Sequence, residues 1–365
     1  MTLLTANIHR TTLCPSDGGI CLLLVLAGYL AASLVGSVVL LALSVSEVTS
    51  LVLSAVVTQA GLAGGFLLFC RVRKFSVKSA FGYEKAPPLA LGLLTPVLVA
   101  VSIFATLLLA MSFDSLLQLT GYRSLGGFAV DITGAGDYLL LVFALALLPA
   151  IFEEAVFRGA LLSATKKLGV IPACLLNGAL FMIFHANPDQ VVHQFFLGIL
   201  LSYLVLRTGS IWLGMIGHFA NNLIALFLPD ALFAFEINGV LAFGLGLAAV
   251  VVFLIGATLV VDLLLKEHKN HPLIWAATGG GAINPATLLR REAFERGTLA
   301  DCKRGFTAPY GVDPALALEH KAALYRRRGD QTGAILLAVV ATVFAGLWAL
   351  TMWLGIFTSV IPGLL

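Results

Sequence analysis

The chain has 365 residues, of which 59% are hydrophobic and only 11% are charged, and its formal net charge is +3. A soluble domain carries about 25% charged residues, so this composition excludes a water-soluble enzyme and indicates an integral membrane protein. The weak positive charge gives no reason to expect a nucleic-acid partner. The five cysteines form no CxxC pair, and we interpret them as reduced thiols without a chemical role.

Long stretches without Asp, Glu, Lys or Arg predict an all-α, polytopic transmembrane helix bundle with about nine spans. Helices are expected because unpaired backbone polar groups are very costly in hydrocarbon. The fourth stretch is cut short by Glu153 and Glu154. In chain order the stretches are Gly18 to Ser46, Val48 to Cys70, Ala86 to Phe113, Tyr138 to Phe152, Leu168 to Pro188, Gln190 to Leu206, Thr208 to Pro229, Ile237 to Val261 and Gln331 to Leu365.

The connections between these stretches alternate between basic ones and acidic or neutral ones. Positively charged loops remain in the cytoplasm, so we expect a cytoplasmic N-terminus and a cytoplasmic 266–330 segment, in a bacterial plasma membrane. The basic connections carry Arg71, Arg73, Lys74, Lys78 and Lys85, then Lys166 and Lys167, then the 266–330 segment. The others carry Asp114, Asp131 and Asp137, then Asp189, then Asp230 and Glu236.

Hydropathy and charge together divide the chain into five parts. These are about three N-terminal transmembrane helices over 1–137, a core of about four spans over 138–229, a transmembrane helix over 230–265, a charged cytoplasmic segment over 266–330, and a C-terminal transmembrane helix over 331–365. Within the charged segment, asparagine or aspartate before proline begins a helix and glycine ends it. This pattern predicts two short helices, from Asn284-Pro285 to Gly297 and from Asp313-Pro314 to Gly329.

Two adjacent carboxylates, Glu153 and Glu154, lie in the otherwise apolar fourth stretch. Their presence in a membrane helix needs a structural or functional explanation, since placing a charged side chain in mid-bilayer costs at least about 2.5–3.5 kcal/mol. Either the helix ends here and the pair lies at the interface, or the pair faces the bundle interior. Arg158 follows Glu154 by four residues, the favourable order for an ion pair on one helix face. Glu153 has no such local partner, so we expect it to face a pocket as a general base.

Two later stretches carry histidines at helical spacing from a second residue. Phe181 and His185 are four residues apart on the fifth stretch, and His218 and Asn222 are four apart on the seventh, so each pair shares one helix face. We interpret His193 as structural. Two further residues are expected to form hydrogen bonds between helices, Asn177 and Asn221.

The fourth and fifth helices are expected to form a hairpin that turns at Gly169. Glu153 precedes this glycine by 16 residues and His185 follows it by 16. In an antiparallel hairpin this equality brings the carboxylate and the imidazole to the same depth.

These side chains support peptide-bond hydrolysis in two ways. Glu153 and His185 can activate a water molecule, while His218 and Asn222 donate hydrogen bonds to the oxyanion. Glu153, His185 and His218 are also a suitable zinc ligand set with an open fourth position. The sequence does not separate the two mechanisms. Neither HExxH nor GxSG occurs in a span, which disfavours zincin-like and rhomboid-type sites.

Three motifs occur in order on three separate stretches: Glu153 to Arg158 as EExxxR, Phe181 to His185 as FxxxH, and His218 to Asn222 as HxxxN. Their order and spacing resemble the CPBP family, which contains CAAX-processing proteases and bacteriocin-processing or immunity proteins. The resemblance covers about Tyr138 to Leu228 and implies an intramembrane protease in the lipid bilayer.

The resemblance also implies roles for the motif residues. In such proteins the first glutamate and the FxxxH histidine, here Glu153 and His185, activate water, and the HxxxN pair stabilises the oxyanion. The second glutamate and the arginine, here Glu154 and Arg158, support the site. The implied partner is a membrane-associated peptide or protein substrate. The family has been described both as metalloproteases and as glutamic proteases, so zinc is one alternative as cofactor.

We expect an intramembrane endopeptidase whose site opens towards the cytoplasm. One alternative is a non-catalytic immunity or scaffold protein that binds a partner through the 266–330 segment. A second is a proton-coupled transporter that uses Glu153 and the histidines as a relay. The lack of repeated or broken helices in matching halves of the chain disfavours the transporter.

Overall fold

The computed structural model of the protein describes residues 13–73, 75, 85–124, 132–227, 240–266 and 314–360. Every regular element among these residues is a helix, which confirms the predicted all-α bundle. In chain order the helices of this described part are α1 (Pro15–Ala42), α2 (Glu47–Val72), α3 (Leu89–Leu119), α4 (Ala135–Thr165), α5 (Val170–Phe184), α6 (Val191–Thr208), α7 (Ile211–Phe227), α8 (Val240–Leu264) and α9 (Pro314–Val360). Short 3₁₀ turns, Lys166–Leu168 and Pro188–Gln190, precede α5 and α6.

Seven helices in the described ranges are long and apolar enough to cross a membrane, and the chain is an integral membrane protein. The two shorter apolar helices, α5 and α7, carry the histidine motifs. The 15 residues of α5 span about 22 Å at roughly 1.5 Å per residue, less than the roughly 30 Å of the hydrocarbon core. A helix of this length does not cross the hydrocarbon core on its own.

Helix α4 passes through the Glu153-Glu154 pair without ending. The alternative that the helix ends at this pair is wrong, because helical structure continues to Thr165. Both glutamates are buried and have protein partners, so neither needs the membrane surface. Two π-helical stretches, Val142–Leu147 and Ala155–Leu161, flank the pair. Such wide turns inside α-helices are frequent at functional sites.

The turn between α4 and α5 lies at Gly169, as predicted. Its φ angle is +101°, which residues with a side chain rarely adopt. Helix α5 ends before Ala186, which also has a positive φ angle of 47°. The following Asn187-Pro188 prevents continuation of the helix, because the residue before proline is disfavoured in the α region. These two breaks set the length of the helix that ends beside His185.

Helix α9 begins at Pro314, as the Asp313-Pro314 pair predicts. The predicted end at Gly329 is wrong, because one helix of 47 residues runs from Pro314 to Val360 and joins the second short helix to the C-terminal span. A glycine inside a helix costs only about 1 kcal/mol relative to alanine, and the apolar sequence that follows stabilises the longer helix. The other predicted short helix, 284–297, lies outside the described residues.

The helices pack as neighbouring pairs around the motif-bearing segment. Helix α1 packs against α2 and α9, α5 against α6, and α3 against α7 and α8, while α7 also contacts α4 and α6. Helices α1 and α2 approach closely at two glycines, since a Cβ atom on Gly28 would meet the backbone of Gly61. Small residues permit such contacts between membrane helices. This packing places α2 beside the Glu153-Glu154 segment of α4.

Candidate active site

Three ionisable side chains meet at one point between α4, α5 and α7. Glu153 Oε2 lies 3.9 Å from His185 Nε2 and 3.9 Å from His218 Nε2. The equal spacing about Gly169 therefore predicted the depth of Glu153 and His185 correctly. Glu153 and His218 are buried and His185 is half-buried. The cluster is a polar site inside an otherwise apolar bundle.

The Glu153 carboxylate is held by a residue outside the three motifs. Gln59 Nε2, on α2, donates a hydrogen bond of 2.8 Å to Glu153 Oε1. The second oxygen, Oε2, is buried and accepts no hydrogen bond from the described residues. Gln59 therefore orients the carboxylate so that Oε2 faces the two histidines.

Hydrogen bonds on the far side of each imidazole determine which nitrogen carries the proton. His185 Nδ1 lies 2.8 Å from the Phe181 carbonyl oxygen, and His218 Nδ1 lies 2.9 Å from Glu154 Oε1. Carbonyl and carboxylate oxygens only accept hydrogen bonds, so Nδ1 is the donor in both rings. In a neutral ring Nε2 then carries a lone pair, and each Nε2 lies 3.9 Å from Glu153 Oε2. Three acceptor atoms thus converge. Such an arrangement favours the binding of a molecule that donates hydrogen bonds, or of a cation, between them.

Glu154 and Arg158 form the predicted ion pair behind this point. Arg158 Nη1 donates to Glu154 Oε1 at 2.6 Å, and both side chains are fully buried. The same carboxylate oxygen accepts the bond from His218 Nδ1. Arg158 Nη2 donates to the Gly198 carbonyl oxygen on α6 at 3.3 Å. The pair therefore positions His218.

The Phe181 ring lies at the centre of this arrangement. The Arg158 guanidinium carbon is 4.4 Å from the ring centroid, a cation–π distance. The His185 and His218 rings pack edge-on against it, with centroid distances of 4.6 and 5.6 Å. Phe157 makes a further edge contact at 5.0 Å. Phe181 thus separates the ion pair from water and restricts both imidazoles.

Asn222 lies on the same helix as His218, but its hydrogen bonds leave the Glu153 cluster. Asn222 Nδ2 donates to the Leu145 carbonyl oxygen at 3.1 Å, and its Oδ1 accepts from Asn221 Nδ2 at 3.0 Å. The Leu145 carbonyl lies four residues before Pro149, which has no N–H to offer it. In this structure Asn222 satisfies that carbonyl, and the oxyanion role stays a prediction.

The residues interpreted as structural do form contacts between helices. Asn177 Nδ2 donates to the Phe157 carbonyl oxygen at 2.8 Å. Asn221 Oδ1 lies 2.7 Å from His193 Nε2, and His193 Nδ1 lies 3.3 Å from Thr106 Oγ1. These bonds connect α5 to α4 and α7 to α6 and α3, which confirms the expected interhelical hydrogen bonding.

The predicted zinc ligands offer suitable donor atoms at a wide spacing. Each histidine has the outer hydrogen bond that metal-bound histidines usually make. Neighbouring ligands of tetrahedral zinc, with bonds of about 2.0–2.1 Å, are about 3.3 Å apart, whereas both oxygen–nitrogen separations here are 3.9 Å. Within the described part of the chain, no group of three His, Cys, Asp or Glu residues is arranged to hold a metal ion. The observed spacing matches one water molecule with two hydrogen bonds of about 2.8 Å.

Two contributions to the site lie outside the motifs, and sequence reasoning missed both. Gln59 had a signal, because it is the one amide side chain between Val48 and Cys70, and a buried amide in a membrane helix needs a partner. Helix α9 contacts the end of α5 through Thr351, whose hydroxyl donates to the Ala186 carbonyl oxygen at 3.0 Å. Nothing in the sequence connects that threonine to the site.

Residues 135–224 match the family model described as Type II CAAX prenyl endopeptidase Rce1-like. The match contains all three motifs and confirms the resemblance to CPBP family intramembrane proteases. No curated protein and no solved structure matches the chain. The matched segment covers 90 of the 365 residues, and together with the helix bundle it supports a likeness to CAAX-type intramembrane endopeptidases.

Proposed function

We propose that this protein is an endopeptidase that hydrolyses a peptide bond of a membrane-associated substrate with a water molecule activated by Glu153. The observation that carries the proposal is the convergence of Glu153 Oε2 with the Nε2 atoms of His185 and His218. The match to an endopeptidase family supports the reaction class. The substrate must enter the bundle, because Glu153 and His218 are buried among helices.

Glu153 acts as the general base in this mechanism. A water molecule beside Glu153 gives one hydrogen bond to Glu153 Oε2 and one to His185 Nε2. As its proton passes to Glu153, the water oxygen forms a bond to the peptide carbonyl carbon, and the carbonyl oxygen becomes an oxyanion. The proton then moves from Glu153 to the amine nitrogen while the carbon–nitrogen bond breaks, which restores the carboxylate.

The oxyanion requires hydrogen-bond donors. His218 donates from Nε2 only in its protonated form, because its Nδ1 proton is held by Glu154. Asn222 donates only after its amide exchanges the Leu145 carbonyl for the substrate oxygen. We propose both residues as donors: substrate binding releases Asn222, and His218 takes a proton from solvent before the reaction and keeps it until the products leave.

A metal-assisted form of the reaction would use the same residues. Glu153, His185 and His218 would hold a zinc ion, which would act as a Lewis acid and lower the pKa of bound water to about 7. Because the 3.9 Å separations suit bridging water better than zinc, we expect purified protein to contain substoichiometric metal and chelators to leave the cleavage rate unchanged. Metal analysis and a chelator titration measure this, with a known zinc protease as control. Activity lost on chelation and restored by Zn²⁺ would assign the metal mechanism instead.

The proposed activity is tested by comparing membranes that contain the unchanged protein with membranes that contain the Glu153→Gln variant. Mass spectrometry of released peptides should show cleavage products only in the first. An immunity or scaffold role predicts that the variant keeps the phenotype of the unchanged protein. A transporter predicts solute flux that depends on a proton gradient.

Replacing Gln59 by leucine removes the hydrogen bond that orients Glu153. We expect kcat to fall about 10- to 100-fold with little change in KM, since a hydrogen bond to a charged group contributes about 1.5–3 kcal/mol. Gln194→Leu is the matched control, because Gln194 and Gln59 are both 8% exposed and Gln194 donates its hydrogen bond to Gln190, the residue directly before α6. Steady-state kinetics measures the effect. Equal losses in the two variants would make Gln59 a packing residue.

A further inference from the structure

The two ends of the helix bundle carry opposite charge, and side-chain contacts join neighbouring helices at each end. At the first, which we call the basic end, Arg73 Nε donates to Asp17 Oδ1 at 2.6 Å and joins α2 to the start of α1. Arg207 Nε donates to Asp262 Oδ1 at 2.7 Å and joins α6 to α8. The described basic residues at this end are Arg71, Arg73, Lys85, Lys166, Arg207 and Lys266.

The opposite end, which we call the acidic end, is joined by different contacts. Ser124 Oγ, after α3, donates to Asp189 Oδ2, after α5, at 2.6 Å. Burial, together with Asp189 and Asp114, raises the pKa of Tyr122 in this region. The described acidic residues at this end are Glu47, Asp114, Asp137 and Asp189, against Arg123 as the basic residue. Three further acidic residues predicted for this end lie outside the described ranges, namely Asp131, Asp230 and Glu236.

The candidate active site lies on top of a densely packed core that fills the basic side of the bundle. Every residue of α4 from Ala155 to Leu162 is buried, and so is every residue of α6 from Leu200 to Arg207. The main apolar cluster also takes its members from the basic halves of α1, α2, α3 and α8. Among the described residues, this layer lies between the basic end and Glu153.

Burial decreases from the site towards the acidic end. The side chain of His218 is 2% exposed, that of Glu153 is 9% exposed, and that of His185, which follows the acidic end of α5, is 19% exposed. In α7, beyond His218, none of the residues from Asn222 to Phe227 is buried. The open side of the site is therefore the side of the acidic end.

We infer that the active site receives its substrate from the non-cytoplasmic side of the membrane. Positively charged ends remain cytoplasmic, so the packed core lies between the cytoplasm and Glu153, and the entrance beside His185 faces outwards. This entrance replaces the cytoplasmic opening expected from the sequence. The substrate is then a polypeptide segment that is anchored in the membrane or exported and that reaches the site from the outer leaflet. The peptide nature of the substrate rests on the proposed function; the direction of entry does not.

Thiol accessibility tests the direction of entry without any catalytic step. The five native cysteines are replaced by alanine, and single cysteines are then introduced as His185→Cys at the site and as Gln190→Cys and Leu168→Cys at the two ends of α5. Gln190 and Leu168 are exposed, which makes them matched reporters of orientation. A membrane-impermeant maleimide is added to right-side-out and to inside-out vesicles.

We expect the His185→Cys and Gln190→Cys variants to be labelled in right-side-out vesicles and the Leu168→Cys variant only in inside-out vesicles. Labelling of the His185→Cys variant only from the cytoplasmic side, or from neither side, would overturn the inference. If the cysteine-free chain expresses poorly, the same variants are made in the unchanged chain, where half-buried Cys14 and Cys70 set the background. Loss of the proposed activity would leave the labelling result intact, so the two failures are distinguishable.

Discussion

Replacement of Glu153 by glutamine should lower the rate of peptide-bond cleavage by about 10²- to 10⁴-fold, the range that a positioned general base contributes. The amide keeps the shape of the carboxylate, and its oxygen can still accept the hydrogen bond from Gln59. It has no oxygen basic enough to take a proton from water. The fold should therefore survive while the reaction stops. Single-turnover cleavage measures the rate, and thermal unfolding in detergent checks the fold.

The control for this variant is Glu47→Gln, the same chemical change at an exposed position at the start of α2. That variant should cleave at the normal rate. Cleavage by the Glu153→Gln protein at a rate close to that of the control would refute the assignment of the base, and the convergence of the three acceptor atoms would then need another explanation.

Replacement of Arg158 by alanine should lower the free energy of unfolding by about 3–5 kcal/mol, since it leaves a buried carboxylate without its partner. The substitution also removes the contact of the guanidinium with the Phe181 ring and its hydrogen bond to the Gly198 carbonyl oxygen. Arg71→Ala is the control, because Arg71 is exposed, and an exposed arginine contributes at most about 1 kcal/mol through an ion pair. Denaturant unfolding in mixed micelles measures both variants.

A double variant separates the structural part of this ion pair from its effect on the site. Glu154→Leu with Arg158→Met removes both charges, and buried ion pairs replaced by apolar side chains of similar volume often recover stability. The double variant should therefore be more stable than Arg158→Ala. It should still be nearly inactive, because His218 Nδ1 loses the oxygen that holds it at 2.9 Å. An active double variant would show that Glu154 does not position His218.

Short-range rules were sufficient for the parts of the site that lie within one helix or one hairpin. The four-residue spacing of Glu154 and Arg158 predicted their ion pair, and the spacing about Gly169 predicted the depth of Glu153 and His185. These relations depend on the helical period and on a glycine with a positive φ angle. Both are determined by short stretches of the sequence. The same rules failed at Gly329, where they predicted a helix end, because a glycine is tolerated when a stable helix continues beyond it.

The sequence by itself determined the membrane character, the helical class and the identity of the converging motif residues, since apolar composition and helical spacing are local properties of the chain. Only the tertiary structure decided that Gln59 bonds to Glu153, that Asn222 bonds to the Leu145 carbonyl, and that the main apolar core lies on the basic side of the site. Each of these depends on how distant helices approach one another. The packing of distant helices is determined by the mutual fit of side chains from many helices. It cannot be predicted from the spacing of residues along one helix.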